Sequence, residues 1–376
     1  MSKGPPPTKI LAPKTKTQPD SERDGFYEGP DPITWLHVVG TGLSFKVPRK
    51  KTCTLGASPK NDIVVQTPYM SGHHCTLTRL YDGLSVEDHS KNGTWVDHRA
   101  AKDSPREVRP GGTFVADRIT FLALNDSMHA AFPTLSDILG WEEGEPFTPA
   151  ESAWPTPSSV TIWASGTENL LITGPRGCGQ ERLAETIHAI SPMRDKKCLV
   201  VESVPVDRAA QRDLLVQAQK TTVVLVVDAK TKLLDATFAS MLFSPSYRIR
   251  VLVSAPSFDA ALKVLGPKSS VMRRVDLRPL AFRPDQLPRV LDRELEKIGS
   301  PLRFDQLTKH NREVLLKNEW RRNLDDVVLA APKLAEVHRT GKLRQAALAL
   351  GIKNFNNLQS WFSVTMKLEL PLAVER

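Results

Sequence analysis

The sequence predicts a multidomain chain: a β-sandwich, then a doubly wound α/β layer, then a helical end. Three observations carry this. Between Ile33 and Leu124, short β-type runs (TWLHVV, LSFKV, DIVV, CTLTRL, LSVED, TWVD, TFVADRITFLAL) are separated by Gly, Pro, Asn and Asp, the spacing of an all-β sandwich. From about Ser158 the runs turn strongly apolar (SVTIWAS, ENLLITG, KCLVVESV, TTVVLVVDA, YRIRVLVSAP), and helical segments separate several of them, as in buried parallel strands. After Pro279 the pattern is helical: DQLPRVLDRELEKIG, FDQLTKHNREVLLKNEW, NLDDVVLAAPKLAEVHRTG and LRQAALALGI.

The remaining stretches connect these regions. Residues 1–30 are basic and polar, lack the apolar middle of a secretory signal, and read as a disordered tail. Residues 126–157 read as a linker with one short helix, TLSDILGW. With 376 residues the chain has room for two or three domains, and 40% apolar with 25% charged residues is the balance of a soluble globular protein. No run is long enough to span a membrane, so a cytoplasmic protein with no membrane partner is expected. The four cysteines, at 53, 75, 178 and 198, have no paired C-x-x-C spacing, so neither a metal site nor a disulfide framework is expected. The net charge of +9 favours an anionic partner, nucleic acid or a phosphorylated protein, although part of the excess lies in the tail.

Within the β region stand LGASPKNDIVV (55–65), YMSGHHCTL (69–77) and DHSKNGTWVD (88–97). In order and spacing these blocks resemble the forkhead-associated (FHA) domain, with its pattern G-R, N-D-I-V, S-R-x-H and D-x-S-x-N-G-T. The resemblance implies an FHA-like sandwich over 31–125 whose end loops hold a phosphothreonine peptide. By that likeness Ser71 donates its hydroxyl to the phosphate, Asn92 bonds the ligand backbone, His74 braces the loop, Gly93 supplies the turn and Lys91 adds charge. Two family arginines are replaced, by Ala57 and Gly72. Arginine grips phosphate with a charged, often bidentate fork, so Lys60, His73 or Lys91 would have to compensate. The alternative is a sandwich kept for protein docking alone.

The segment GPRGCGQERLAETIHAISPMRDKKCLVV (174–201) resembles the P-loop of bacterial enhancer-binding proteins, the AAA+ activators of alternative-sigma-factor transcription, whose loop reads G-E-x-G-T-G-K-E. VLVVDA (224–229), RIRVLVSAPS (248–257), RPLAFRPDQLPRVL (278–291) and NEWRRNLDDV (318–327) follow in that family's order. The likeness implies a reduced AAA+ α/β core over 158–278 and a helical lid over 279–340. Gly174, Gly177, Gly179, Gln180 and Asp228 then mark a vestigial nucleotide site. Phosphoryl transfer needs a P-loop lysine, Mg²⁺ and an acidic pair. Here the lysine is Gln180, the acidic pair is Asp228-Ala229, and the sensor arginine is Asp325. The sigma-contacting G-A-F-T-G-A insertion is replaced by PVDRAAQRDLLVQAQK (205–220). A pseudo-ATPase is expected, with no catalytic residue and no cofactor beyond a vestigial ATP site.

Residues 342–362, KLRQAALALGIKNFNNLQSWF, resemble the Fis-type helix-turn-helix that ends enhancer-binding proteins. The likeness implies a helix-turn-helix tail over 341–376 in which Ala347 lets two helices cross and Gly351 makes the turn. Its second helix would present Lys353, Asn354, Asn356, Asn357 and Gln359 to DNA, amide side chains being suited to adenine edges. An amphipathic hairpin closing the domain is the alternative. Together the resemblances lead to a bacterial, phosphoprotein-responsive transcription regulator. It would bind DNA and a phosphorylated protein or kinase, and would associate with itself or with related AAA+ proteins. The alternative is a signalling adaptor that touches no DNA.

Overall fold

The computed structural model describes residues 31–141 and 155–374. Contacts divide the chain into two compact units, one ending at Pro133 and resuming up to Gly166, the other taking Thr134 onwards and everything from Thr167.

Eleven strands build the first unit: β1 (Trp35–Val38), β2 (Leu43–Lys46), β3 (Thr52–Gly56), β4 (Ile63–Val64), β5 (Cys75–Arg79), β6 (Leu84–Asp88), β7 (Thr94–Val96), β8 (Arg99–Ala100), β9 (Arg106–Val108), β10 (Thr113–Ala116) and β11 (Ile119–Leu124). They form a six-stranded sheet, β2-β1-β11-β10-β7-β8, and a five-stranded sheet, β4-β3-β5-β6-β9. Alternation sets which face is buried: in β5, Cys75, Leu77 and Arg79 point in while Thr76 and Thr78 point out. Leu36, Leu55, Leu77, Leu84, Phe114 and Phe121 fill the core between the sheets, and the rings of Phe114 and Phe121 stack at 5.1 Å.

Two helices follow. The first, α1 (Asp126–Leu139), is 14 residues long, and Asn125 starts it by accepting from the Met128 N–H at 2.8 Å. The short helix expected at TLSDILGW is thus the second half of a longer one. Pro133, inside it, reads as a breaker in the sequence. The second helix, α2 (Pro157–Ser165), covers SVTIWAS, which reads as a strand. A Thr156–Ser159 capping box and Pro157 at the first turn make it helical instead. The rest of the expected linker, 142–154, and the tail 1–30 lie outside the described residues.

The second unit alternates β12 (Leu170–Thr173), α3 (Gln180–Ala189), β13 (Leu199–Val201), α4 (Arg208–Ala218), β14 (Thr222–Val226), α5 (Ala236–Leu242), β15 (Arg250–Ala255), α6 (Phe258–Leu265) and β16 (Arg273–Asp276). Every strand pair is parallel, and the order is β13-β14-β15-β12-β16. The chain leaves β12 between two strands that are not its neighbours in sequence, and at that switch point ligands of open α/β sheets bind. Helices α7 (Leu287–Lys297), α8 (Lys309–Leu316), α9 (Leu324–Thr340), α10 (Leu343–Ala349) and α11 (Phe355–Gln359) complete the unit. The end of the chain returns to α8: Asn311, wholly buried, donates to the Glu369 and Leu372 carbonyls, and Leu307 bridges Ala373.

Candidate functional site

At one end of the sandwich three loops converge. The β3–β4 loop meets the β4–β5 loop through Ala57 N–H to Ser71 O (2.9 Å) and Ser58 N–H to Gly72 O (3.0 Å), and Asn61 Nδ2 donates to both Ser58 O and Gly72 O. Gly56 is required here, because a Cβ would lie 2.5 Å from the Gly72 carbonyl oxygen. The β6–β7 loop joins through His74. Buried completely, this imidazole accepts from the Ser71 N–H at Nδ1 (3.3 Å), so Nε2 carries the proton and donates to Gly93 O (3.3 Å). Burial pushes its pKa below the usual histidine value, despite the opposing effect of the Gly93 carbonyl and Asp88, so it stays neutral at pH 7.

The other expected site residues sit around this brace. Ser71 Oγ accepts from the Lys91 N–H at 3.3 Å, which leaves its proton to donate outward. Asn92 is exposed and donates Nδ2 to Tyr69 O at 3.0 Å, which leaves Oδ1 open to a ligand N–H. Gly93 has φ +95°, and a Cβ there would strike the Trp95 ring at 2.5 Å. Beneath the loop Asp88 accepts from Thr94 Oγ1 (2.8 Å) and the Ser90 N–H (3.1 Å). Burial raises its pKa, but these bonds outweigh that and hold it below the usual carboxylate value. Lys91 and Lys60 are exposed. His73 turns to the outer face of the sheet, where it stacks on His89 at 4.7 Å and shares Thr76 Oγ1 with it. The Ala57 methyl packs against the core, and Gly72 is exposed.

The glycine-rich loop follows β12 and opens α3. Gly177 and Gly179 have φ +79° and +94°, as a phosphate-cradling turn needs, but the chain itself fills the space. A Cβ at Gly174 would lie 2.9 Å from the Leu277 carbonyl, at Gly177 2.0 Å from the Arg322 carbonyl and at Gly179 3.1 Å from Ile138. Gln180, 8% exposed, turns its amide inward to the Gly174 and Pro175 carbonyls. The segment before α9 clamps the loop from above. Asn323 donates to Arg176 O (2.8 Å) and accepts from the Leu280 N–H (2.7 Å), and the Leu324 N–H donates to Gly177 O (3.0 Å). The Asp325 carboxyl stands beside Gly177. Burial, with smaller contributions from Glu202, Glu185 and Asp325, raises the Glu181 carboxyl on α3, and Asp325 pairs with the Arg322 guanidinium at 3.8 Å. Asp228, just past β14, spends its carboxylate on its own turn, accepting from Lys230 N–H and Thr231 Oγ1.

In the tail, Gly351 has φ +64° and the Ile352 N–H donates to Ala347 O at 2.9 Å, a tight turn between α10 and α11. Lys353, Asn354, Asn356, Asn357 and Gln359 are all exposed, and Asn354 also caps α11 by accepting from the Asn356 N–H. Helix α11 spans five residues before a wider turn over 360–365, which carries the half-buried Trp361, with the Lys333 ammonium 4.4 Å from its ring centroid.

The FHA domain family model matches residues 53–116, from β3 to β10. The chain carries an FHA domain. Three solved structures are similar to parts of the chain. The FHA domain of CT664 from Chlamydia trachomatis is 23% identical, with 24% of this chain covering 94% of that one at a TM-score of 0.22. Mycobacterium tuberculosis EmbR, in complex with a low-affinity phosphopeptide, is 22% identical over 24% of each chain, with a TM-score of 0.23. NtrX from Brucella abortus, in complex with ADP, is 16% identical over 47% of each chain, with a TM-score of 0.39. This chain therefore aligns with about half the length of NtrX and a quarter of EmbR. Comparison with curated proteins finds no match. Among the described residues no helix is long and apolar enough to cross a membrane.

Sequence reasoning missed three residues at the mouth of the FHA domain. Asn61 pins the two loops to each other, and the N-D-I-V block was the signal that could have found it. Tyr69 and Arg118 pair above Asn92, the guanidinium 5.0 Å from the ring centroid. Arg118 lies beyond the three FHA-like blocks, inside the run TFVADRITFLAL, which the sequence offers as one β-type run and the structure breaks into β10 and β11 with Arg118 at the turn.

Proposed function

We propose that the protein is a phosphothreonine-responsive transcription regulator that neither hydrolyses ATP nor needs a cofactor. One observation carries this reading. The neutral His74 holds the Ser71 and Gly93 loops together, leaving the Ser71 hydroxyl proton and Asn92 Oδ1 facing a ligand at the end of a rigid sandwich. A phosphate would take the hydroxyl proton and a peptide N–H the amide oxygen. The clamped glycine loop supports the rest: Gln180, Asn323 and Leu324 use its carbonyls, and the Arg322 carbonyl closes over Gly177. Its glycines serve packing, and the second unit acts as a scaffold. The DNA contact falls to α10 and α11, whose exposed Asn356, Asn357 and Gln359 suit base edges while Lys342, Arg344 and Lys353 suit phosphates.

A second reading, a signalling adaptor that contacts no DNA, is favoured by the packing of the tail. Ala346, Ala347, Leu358, Phe362, Met366 and Leu372 are buried within the second unit, so a structural role alone would account for the hairpin. The two readings separate by selection from a random pool of short duplexes at two salt concentrations. A regulator enriches one sequence, and replacing Asn356, Asn357 and Gln359 together by alanine abolishes the enrichment. An adaptor shows weak binding that vanishes with salt and enriches nothing. Substitution is the right probe, because deleting the tail would strip α8 and α9 of buried partners.

A further inference from the structure

The FHA mouth carries a cation with no partner in its own recognition chemistry. The β10–β11 turn is tied to the binding loops on two sides. The Asp117 N–H reaches Gly93 O at 3.4 Å, and the Arg118 guanidinium lies 5.0 Å over the ring of Tyr69, whose carbonyl accepts from Asn92. Asp117 has φ +60°, which shapes the turn that presents its neighbour. Arg118 is exposed, Tyr69 is 53% exposed, and among the described residues no carboxylate pairs with this guanidinium. Resting on an aromatic face restrains the side chain while leaving its planar fork of N–H donors facing out.

Building on the phosphothreonine reading above, we propose that Arg118, supported by Tyr69, reads a second anionic group on the bound peptide, next to the phosphothreonine in sequence. The ligand class is an acidic phosphopeptide. Ser71 and Asn92 take the phosphothreonine and its backbone, and the guanidinium takes a flanking carboxylate or second phosphate with a charged, forked hydrogen bond. This places specificity on a turn outside the three loops that hold the phosphothreonine. It also supplies positive charge to a mouth where Ala57 and Gly72 supply none.

The test measures fluorescence anisotropy with the full chain and a set of phosphothreonine peptides on an alanine background, scanning one glutamate, one phosphoserine or one lysine through the flanking positions. Wild-type protein should prefer the anion at one position by about five-fold, the scale of an exposed charge pair. Arg118→Ala should lose that preference while holding the neutral-flank peptide within about two-fold, and Arg118→Glu should turn the preference towards lysine. A preference for glutamate assigns a carboxylate, and one confined to phosphoserine assigns a second phosphate. The same flank preference in Arg118→Ala, or none in wild-type protein that still separates phosphothreonine from threonine, overturns the assignment to Arg118. If wild-type protein binds both forms equally, the phosphothreonine reading has failed, and this inference with it. Arg118 is an exposed turn residue, and unchanged tryptophan fluorescence confirms that each variant is folded.

Discussion

Gly72→Arg should turn a modest phosphopeptide reader into a strong one. The position adjoins Ser71, is exposed, and has ordinary backbone geometry. An added Cβ would meet only the Ser58 Cβ, at 3.9 Å, an ordinary contact. Ala57 is less suitable, because its methyl packs against the core. A hydrogen bond to a charged group contributes about 1.5–3 kcal/mol. Ordering a long, exposed arginine costs roughly 1 kcal/mol of that, which leaves about 0.5–2 kcal/mol. At 1.4 kcal/mol per tenfold this is about 2- to 30-fold in affinity. Titration calorimetry with matched phosphothreonine and threonine peptides at two salt concentrations provides the assay, with Gly72→Gln as the uncharged control. The gain should be confined to the phosphorylated peptide and shrink with salt. A variant no tighter than Gly72→Gln, or one tighter for both peptides alike, would refute the placement of phosphate beside Ser71.

Three further outcomes follow from the same geometry. Gly177→Ala, which forces a Cβ to 2.0 Å from the Arg322 carbonyl at φ +79°, should destabilise the second unit by about 2–4 kcal/mol, seen as a lower thermal midpoint unaffected by added nucleotide. Gln180→Lys should restore no ATP hydrolysis in a phosphate-release assay, since Ala229 and Asp325 still stand where acid and arginine are needed; measurable turnover would contradict the pseudo-ATPase reading. His74 is held below its unfolded pKa of about 6.5, so below that pH the unfolded chain binds more protons than the folded one. The stability of the first unit should therefore fall as pH drops from about 7 towards 5. A midpoint that rises over that window would contradict a neutral His74.

Much of this was legible because the decisive residues lie close in sequence. Three blocks within 55–97 placed Ser71, His74, Asn92 and Gly93 at one end of a sandwich, and the structure brings those residues together. Four of the five parallel strands showed as apolar runs, and β12, β14 and β15 are buried along nearly their whole length. The fifth, β16, was missed because RRVD is mostly exposed and carries no apolar run. What was missed depends on residues far apart in the chain. Nothing near Gly177 announces that Arg322 and Asn323 will close over it. The helix at 157–165 was misread because its apolar residues outweighed its start signals, Pro157 and the Thr156–Ser159 box. Arg118 was invisible for the same reason as the clamp: its meaning comes from Tyr69, 49 positions earlier (118 − 69).

The most direct test of phosphothreonine reading is to titrate the full chain with paired degenerate peptide libraries, identical except that one has phosphothreonine and the other threonine at the fixed position. The account predicts saturable binding of the phosphorylated library alone, weakened at least about ten-fold by Ser71→Ala, the loss of one charged hydrogen bond. Equal binding of the two libraries, or no effect of Ser71→Ala, would contradict it.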